Sequence, residues 1–171
     1  MIINDDAGIR RILENHKLIA MVGLSPKEDR PSNIVARYLM ARGYTVIPVN
    51  PGQKEILGQP CYADLRSIPV KVDIVDVFRN SVDVPPIADD AIAIGAKSLW
   101  LQLGVIHLEA AEKAAIAGLD VVMDRCPKIE IARLMGAWRG HEDYGVGGSH
   151  CGENCLADRR EVSLSGGEPR A

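Results

Sequence analysis

Short apolar runs that alternate with segments of helical period constrain this chain more than any other feature. "LIAMVG" is a continuous apolar run closed by Gly23, the pattern of a strand buried on both faces. "SNIVARYLMARG" repeats apolar residues at Ile34, Val35, Tyr38 and Leu39 and stops at Gly43, which predicts a helix with a glycine C-terminal cap. "YTVIPVNP" follows as a second strand. Pro48 is expected near its end or on a less paired side, because a central strand needs that N–H. "VDIVDVF", "SLWLQLG" and "LDVVMD" supply three more strands. Between and after them, "VDVPPIADDAIAIGAK", "LEAAEKAAIAG" and "PKIEIARLMG" read as helices, and "AGIRRILENH" is a lead-in helix. Such alternation implies an α/β fold, a Rossmann-like doubly wound parallel sheet of about five strands flanked by helices. The expected strand order, counted along the chain, is 3-2-1-4-5, with a topological switch beside the first strand.

A length of 171 residues suits one domain. That domain is expected over residues 1–136, with a glycine-rich, flexible tail over 137–171. Net charge is −3 and aromatic content 4%, which argues against nucleic acid and anionic membrane as partners. "MIINDDAGIRRILENHKL" has no apolar core of a signal peptide, and no apolar run approaches a membrane span. Cys61, Cys126, Cys151 and Cys155 are too sparse for a disulfide framework. The expected localisation is cytoplasmic.

In an open parallel sheet, ligands bind beyond the carboxyl ends of the strands at the switch point. "GLSPKEDRPS", "NPGQKE", "FRNS" and "QLGVIH" each begin where a strand ends. In the first, Gly23 permits a tight turn, and the free N–H groups opening the next helix, near Ser32 to Ile34, favour an anion. Ser25 and Ser32 add hydroxyls; Lys27 and Arg30 add charge. The competing reading is a helix start capped by Ser32 beneath a solvated basic loop. The G-x-G-x-x-G fingerprint is absent. The second strand ends in Asn50-Pro51 with Lys54 behind, in place of the acidic residue that grips a ribose in NAD sites. That substitution suits a ribose bearing an extra phosphate, as in NADP or coenzyme A. Arg79 ends the third strand on the same rim; its alternative is a surface ion pair with Asp83 or Glu55.

"VGLSPKEDRPS", "VIPVNP", "EILGQPCYADLRSIP", "VDIVDVFR", "AIAIGAKSLWLQLG" and "GLDVVMDRC", in that order, resemble the small stand-alone CoA-binding proteins of the Rossmann type. Their fold is similar to the N-terminal CoA-binding domain of the succinyl-CoA synthetase alpha subunit. The resemblance spans roughly residues 5–135. It implies that Gly23, Leu24, Ser25, Arg30 and Ser32 cradle the CoA pyrophosphate. It also implies that Asn50, Pro51 and Lys54 hold the adenosine ribose and its 3′-phosphate, and that Phe78 and Arg79 border adenine and phosphates. Gln102, Leu103 and Gly104 fall where the ligase domain meets the pantetheine arm. The ligase's phosphorylated histidine belongs to a second domain, so the expectation is a CoA- or acyl-CoA-binding module without ligase activity.

Two other readings stay open: an NADP-dependent oxidoreductase or nicotinamide-responsive sensor, and an interaction subunit whose tail recruits a partner. A homo-oligomer is equally compatible with the sequence. No catalytic residue is assigned. His107 reads first as a helix-start residue and second as an acid–base group. Cys126, before a proline-started helix, reads first as a helix N-terminal residue and second as an activated thiol. Cys61 sits in a connecting loop. "HCGENC" offers His150, Cys151 and Cys155, one ligand short of a zinc site. Trp100 and Trp138 read as packing residues.

Overall fold

The computed structural model describes residues 1–136; the tail, with Trp138, His150, Cys151 and Cys155, lies outside the described residues. Five parallel strands form the sheet: β1 (Leu18–Val22), β2 (Thr45–Val49), β3 (Ile74–Val77), β4 (Ser98–Leu101) and β5 (Asp120–Val122). Five helices accompany them: α1 (Asp6–Asn15), α2 (Pro31–Ala41), α3 (Val84–Ala93), α4 (Leu108–Ile116) and α5 (Pro127–Met135). No described helix is long and apolar enough to cross a membrane.

Alternation along each strand divides the core into two layers. Ile74 on β3 faces one layer with Ile12 and Leu13 of α1, Leu39 of α2 and Ile131 of α5. Val75 and Val77 face the other, with Ala88 of α3, Ala111 and Ala114 of α4, and Leu65 from the β2–β3 connection. The alanine-rich faces of α3 and α4 bring those helices close against the sheet.

The Rossmann-like α/β class holds, but the expected strand order does not. The sheet runs β2-β1-β3-β4-β5, so β3 pairs with β1 and β2 is an edge strand. Pro48 explains why. Its carbonyl accepts the Tyr62 N–H at 3.0 Å on the side away from β1. A strand residue points its N and its C=O the same way, so the missing N–H also faces outward. A third strand docked there would lose a ladder bond. The connection over residues 50–73 carries a short hairpin, Glu55–Ile56 with Gln59–Pro60, and a single 3-10 turn, Leu65–Ser67, in place of a crossover helix. It delivers β3 to the far side of β1. The switch point therefore lies between β1 and β3. At the other edge, Ile3 N–H and the Met1 carbonyl both bond Val121 at 2.8 Å, covering β5.

Candidate ligand site

The turn after β1 is built around one close approach. Gly23 has φ +86°, and a Cβ there would lie 2.3 Å from the Phe78 carbonyl oxygen at the end of β3. Its N–H donates to Val49 at 2.9 Å. Glycine thus lets the ends of β1, β2 and β3 converge.

The loop that follows is held by its own side chains. Ser32 lies inside α2, where its buried Oγ accepts the Ser25 N–H at 3.0 Å. Buried Asn33 donates from Nδ2 to the Ser25 carbonyl at 2.9 Å, and Asn50 Nδ2 donates to the Leu24 carbonyl at 3.0 Å. The competing reading, in which Ser32 caps α2, does not hold: Arg30 is the cap residue, and no side chain caps the helix. Ile34 N–H is taken by the Arg30 carbonyl at 3.1 Å, so the open donors are confined to the first turn before it. Replacing Ser32 by alanine strands the Ser25 N–H. A loss of about 1 kcal/mol in urea-unfolding stability is expected, and an unchanged value would mean that water serves that N–H equally well.

Three cavities meet around Gly23, Phe78 and Arg79. One of about 430 Å³ is lined by Gly23, Ser25, Lys27, Arg30, Ser32 and Phe78, with Pro31. One of about 250 Å³ at the ends of β1 and β2 is lined by Asn50, Pro51, Leu65, Arg79, Pro86 and Ile87, among others. The largest, about 690 Å³, is bounded by Phe78, Arg79, Gln102, Leu103, Gly104 and Cys126, among others. Phe78 separates the first from the third, and Arg79 the second from the third. Among the described residues, Lys27, Arg30, Lys54 and Arg79 enter no ion pair, so the expected alternative of Arg79 bridging Asp83 or Glu55 is absent.

The structure brings together all the expected site residues except two. Leu24 is fully buried in the core and offers only its backbone. Lys54 is exposed and lines none of the three cavities. Acidic residues absent from the end of β2 arrive from elsewhere: Asp64, Asp83 and Asp90 line the 250 Å³ cavity. Asp64 is committed to Ser67, and Asp90 to Arg66 at 2.6 Å.

His107 caps α4, its Nδ1 accepting the Ala110 N–H at 3.2 Å. Cys61 donates to the Asn50 carbonyl at 3.4 Å. Cys126 caps α5 by position, but burial pushes its thiol up, opposite to an activated nucleophile. The loops around the largest cavity are tied to one another. Ser81 Oγ accepts the Ile106 N–H at 3.0 Å, and Gly104 N–H donates to Asp124 at 2.7 Å.

Asp76 escaped the sequence reading. It sits in the middle of β3, 1% exposed, and its carboxylate accepts Gln102 Nε2 at 2.7 and 3.0 Å. Burial pushes its carboxyl up to about 7, against the opposing pull of hydrogen bonds from Gln102 and the Val77 backbone. The available signal was a carboxylate inside an otherwise apolar strand run.

A family model described as a CoA binding domain matches residues 17–132. The uncharacterized protein YneT of Bacillus subtilis is 39% identical over 123 residues, covering 72% of this chain and 91% of its own length. The ADP-forming acetate–CoA ligase I of Archaeoglobus fulgidus is 29% identical over an alignment 120 residues long, which covers 64% of this chain and 18% of the ligase. A solved structure of a hypothetical protein from Pyrococcus horikoshii OT3 superposes with a TM-score of 0.76 at 44% identity, covering 78% of this chain and 94% of that one.

Proposed function

Because this chain belongs to the CoA binding domain family, we propose that it binds coenzyme A or an acyl-CoA across the three cavities at the β1/β3 switch point. The observation that carries the reading is the uncapped start of α2, faced by Lys27 and Arg30, which have no ion-pair partner among the described residues, at the junction of two further cavities. Free N–H groups and the helix dipole favour an anion there, and the two cations add to it. A pyrophosphate in the 430 Å³ cavity directs the rest of the ligand. Adenosine enters the 250 Å³ cavity lined by Pro51, Leu65 and Ile87. The pantetheine arm enters the 690 Å³ cavity past Phe78 toward Gln102, Leu103 and Gly104. Arg79, on the wall shared by those two cavities, holds phosphate, while Lys54 reaches the 3′-phosphate only from outside. The ligand's acyl group and a cytoplasmic setting belong to the same proposal. Ligase chemistry is a property of the much longer Archaeoglobus protein, of which this chain matches 18%.

Isothermal titration with CoA, 3′-dephospho-CoA, NAD and NADP at fixed salt tests the reading. CoA is expected to bind tightest, with a several-fold loss on removal of the 3′-phosphate. Arg79→Ala is expected to weaken CoA about tenfold, the worth of one charge-assisted hydrogen bond, and Lys54→Ala by a smaller factor. Tighter binding of NADP would transfer the site to nicotinamide chemistry. Silence from all four ligands would leave the interaction-subunit reading.

A further inference from the structure

Gln102 lines the largest cavity and donates to the buried carboxylate of Asp76, a residue to which the ligand reading above gives no role. Asp76 lies on β3, and Gln102 is the first residue past the end of the neighbouring strand β4. Asp76 is in register with Trp100 on β4, and Gln102 lies two residues on, so both side chains point to the same face. Gln102 is 4% exposed yet lines the cavity. One end of its amide is pinned by the carboxylate, and the other end is what the cavity meets. An ionised carboxylate only accepts, so it must take Nε2. A protonated carboxyl can donate to Oε1 instead, which turns the amide over.

We propose that Asp76 is a positioning residue that sets the hydrogen-bonding polarity Gln102 presents to the ligand's sulfur-bearing arm. With Asp76 ionised, Oε1 faces the cavity and accepts from an amide N–H or the thiol of free CoA. With Asp76 protonated, Nε2 faces the cavity and donates to a thioester carbonyl. The site thereby discriminates free CoA from acyl-CoA according to the charge on a buried carboxyl. This rests on the CoA reading of the site and adds its dependence on the acyl group.

The surroundings of Asp76 make its charge responsive to pH. A small void beside it is lined by Leu13 from α1, Ile19 from β1, Trp100 from β4 and Pro127 from α5, none of them ionisable. Cys126 at the start of α5 is a titratable group whose charge couples to Asp76, and burial pushes that thiol up and so keeps it protonated. No ion pair to Asp76 is present among the described residues, and burial pushes its carboxyl up to about 7.

Two measurements on the full chain test this separately from the binding reading. In the ligand-free protein, the Gln102 side-chain amide NMR signals are expected to shift with pH, following the Asp76 carboxyl with a midpoint near 7. Asp76→Asn should abolish that titration. Calorimetric affinities for CoA and acetyl-CoA across pH 5.5–8.5 should then change in ratio by about fivefold, favouring acetyl-CoA at low pH. In Asp76→Asn the ratio should be independent of pH. A Gln102 amide that ignores pH overturns the inference whether or not CoA binds. So does a constant affinity ratio in the parent chain, or one that varies equally in Asp76→Asn. A Gln102 titration accompanied by no binding of either ligand at any pH overturns the CoA reading and, with it, the ligand role assigned to Gln102.

Discussion

Gly23→Ala is expected to cost about 2–5 kcal/mol of stability and to remove ligand binding with it. Two effects add. At φ +86° an L-residue pays about 1–2 kcal/mol for the left-handed backbone. The new Cβ would also lie 2.3 Å from the Phe78 oxygen and 3.1 Å from its carbonyl carbon. Neither atom can step aside alone, because Phe78 N–H is bonded to Val22 at 2.8 Å as β3 leaves the sheet. The ends of β1 and β3 must therefore separate, an overpacking cost of about 1–3 kcal/mol. That separation also opens the junction of the three cavities. Gly43→Ala is the control: its φ is +91°, but nothing lies within 4 Å of the added methyl. Urea unfolding of both variants, with CoA titration of whichever remains folded, checks this. If Gly23→Ala is no worse than Gly43→Ala, close packing of the strand ends is not what position 23 requires.

Asp76→Asn is expected to stabilise the protein at pH 8 by about 1–3 kcal/mol. The carboxyl moves from 3.8 in the unfolded chain to about 7 in the folded one. Between those values the folded state binds the extra proton, so stability falls as pH rises from about 4 to about 7 and is level above. The full span corresponds to about 4 kcal/mol. Asparagine cannot ionise, so this slope disappears. Part of the gain is offset, because one new amide donor enters a pocket without a matching acceptor, at about 1–3 kcal/mol. The difference in unfolding free energy between the two proteins, followed from pH 4.5 to 8.5, isolates the Asp76 contribution. A difference that does not change with pH would show that this carboxyl is not buried and ionised as described.

The elements were legible because buried strands and amphipathic helices write their periods directly into the chain. "LIAMVG", "SLWLQLG" and "LDVVMD" are strands, and Gly43 takes the positive φ expected after α2. Pro48 carried the strand order as well. A proline inside an apolar run marks an edge, and order 3-2-1-4-5 would have buried β2 between two strands. Most of the candidate site was legible for a related reason: in a parallel sheet every strand's carboxyl end faces the same side, so Gly23, Asn50, Arg79 and Gln102 share an edge once the strands are known.

What required the tertiary structure is every relation between side chains far apart in sequence. Lys54 follows Asn50 closely, yet the hairpin at Glu55–Pro60 leaves it outside the cavities. Leu24 neighbours the ligand loop but turns into the core. Asp64 and Asp83 join the 250 Å³ cavity from beyond β2 and β3. Asp76 meets Gln102 across 26 residues because β3 and β4 pair in one register with the two side chains on one face. Local propensity and period are properties of a segment and determine the elements. Contact, burial and the charge of a buried carboxyl depend on which segments become neighbours, and that is decided by how the strands pair.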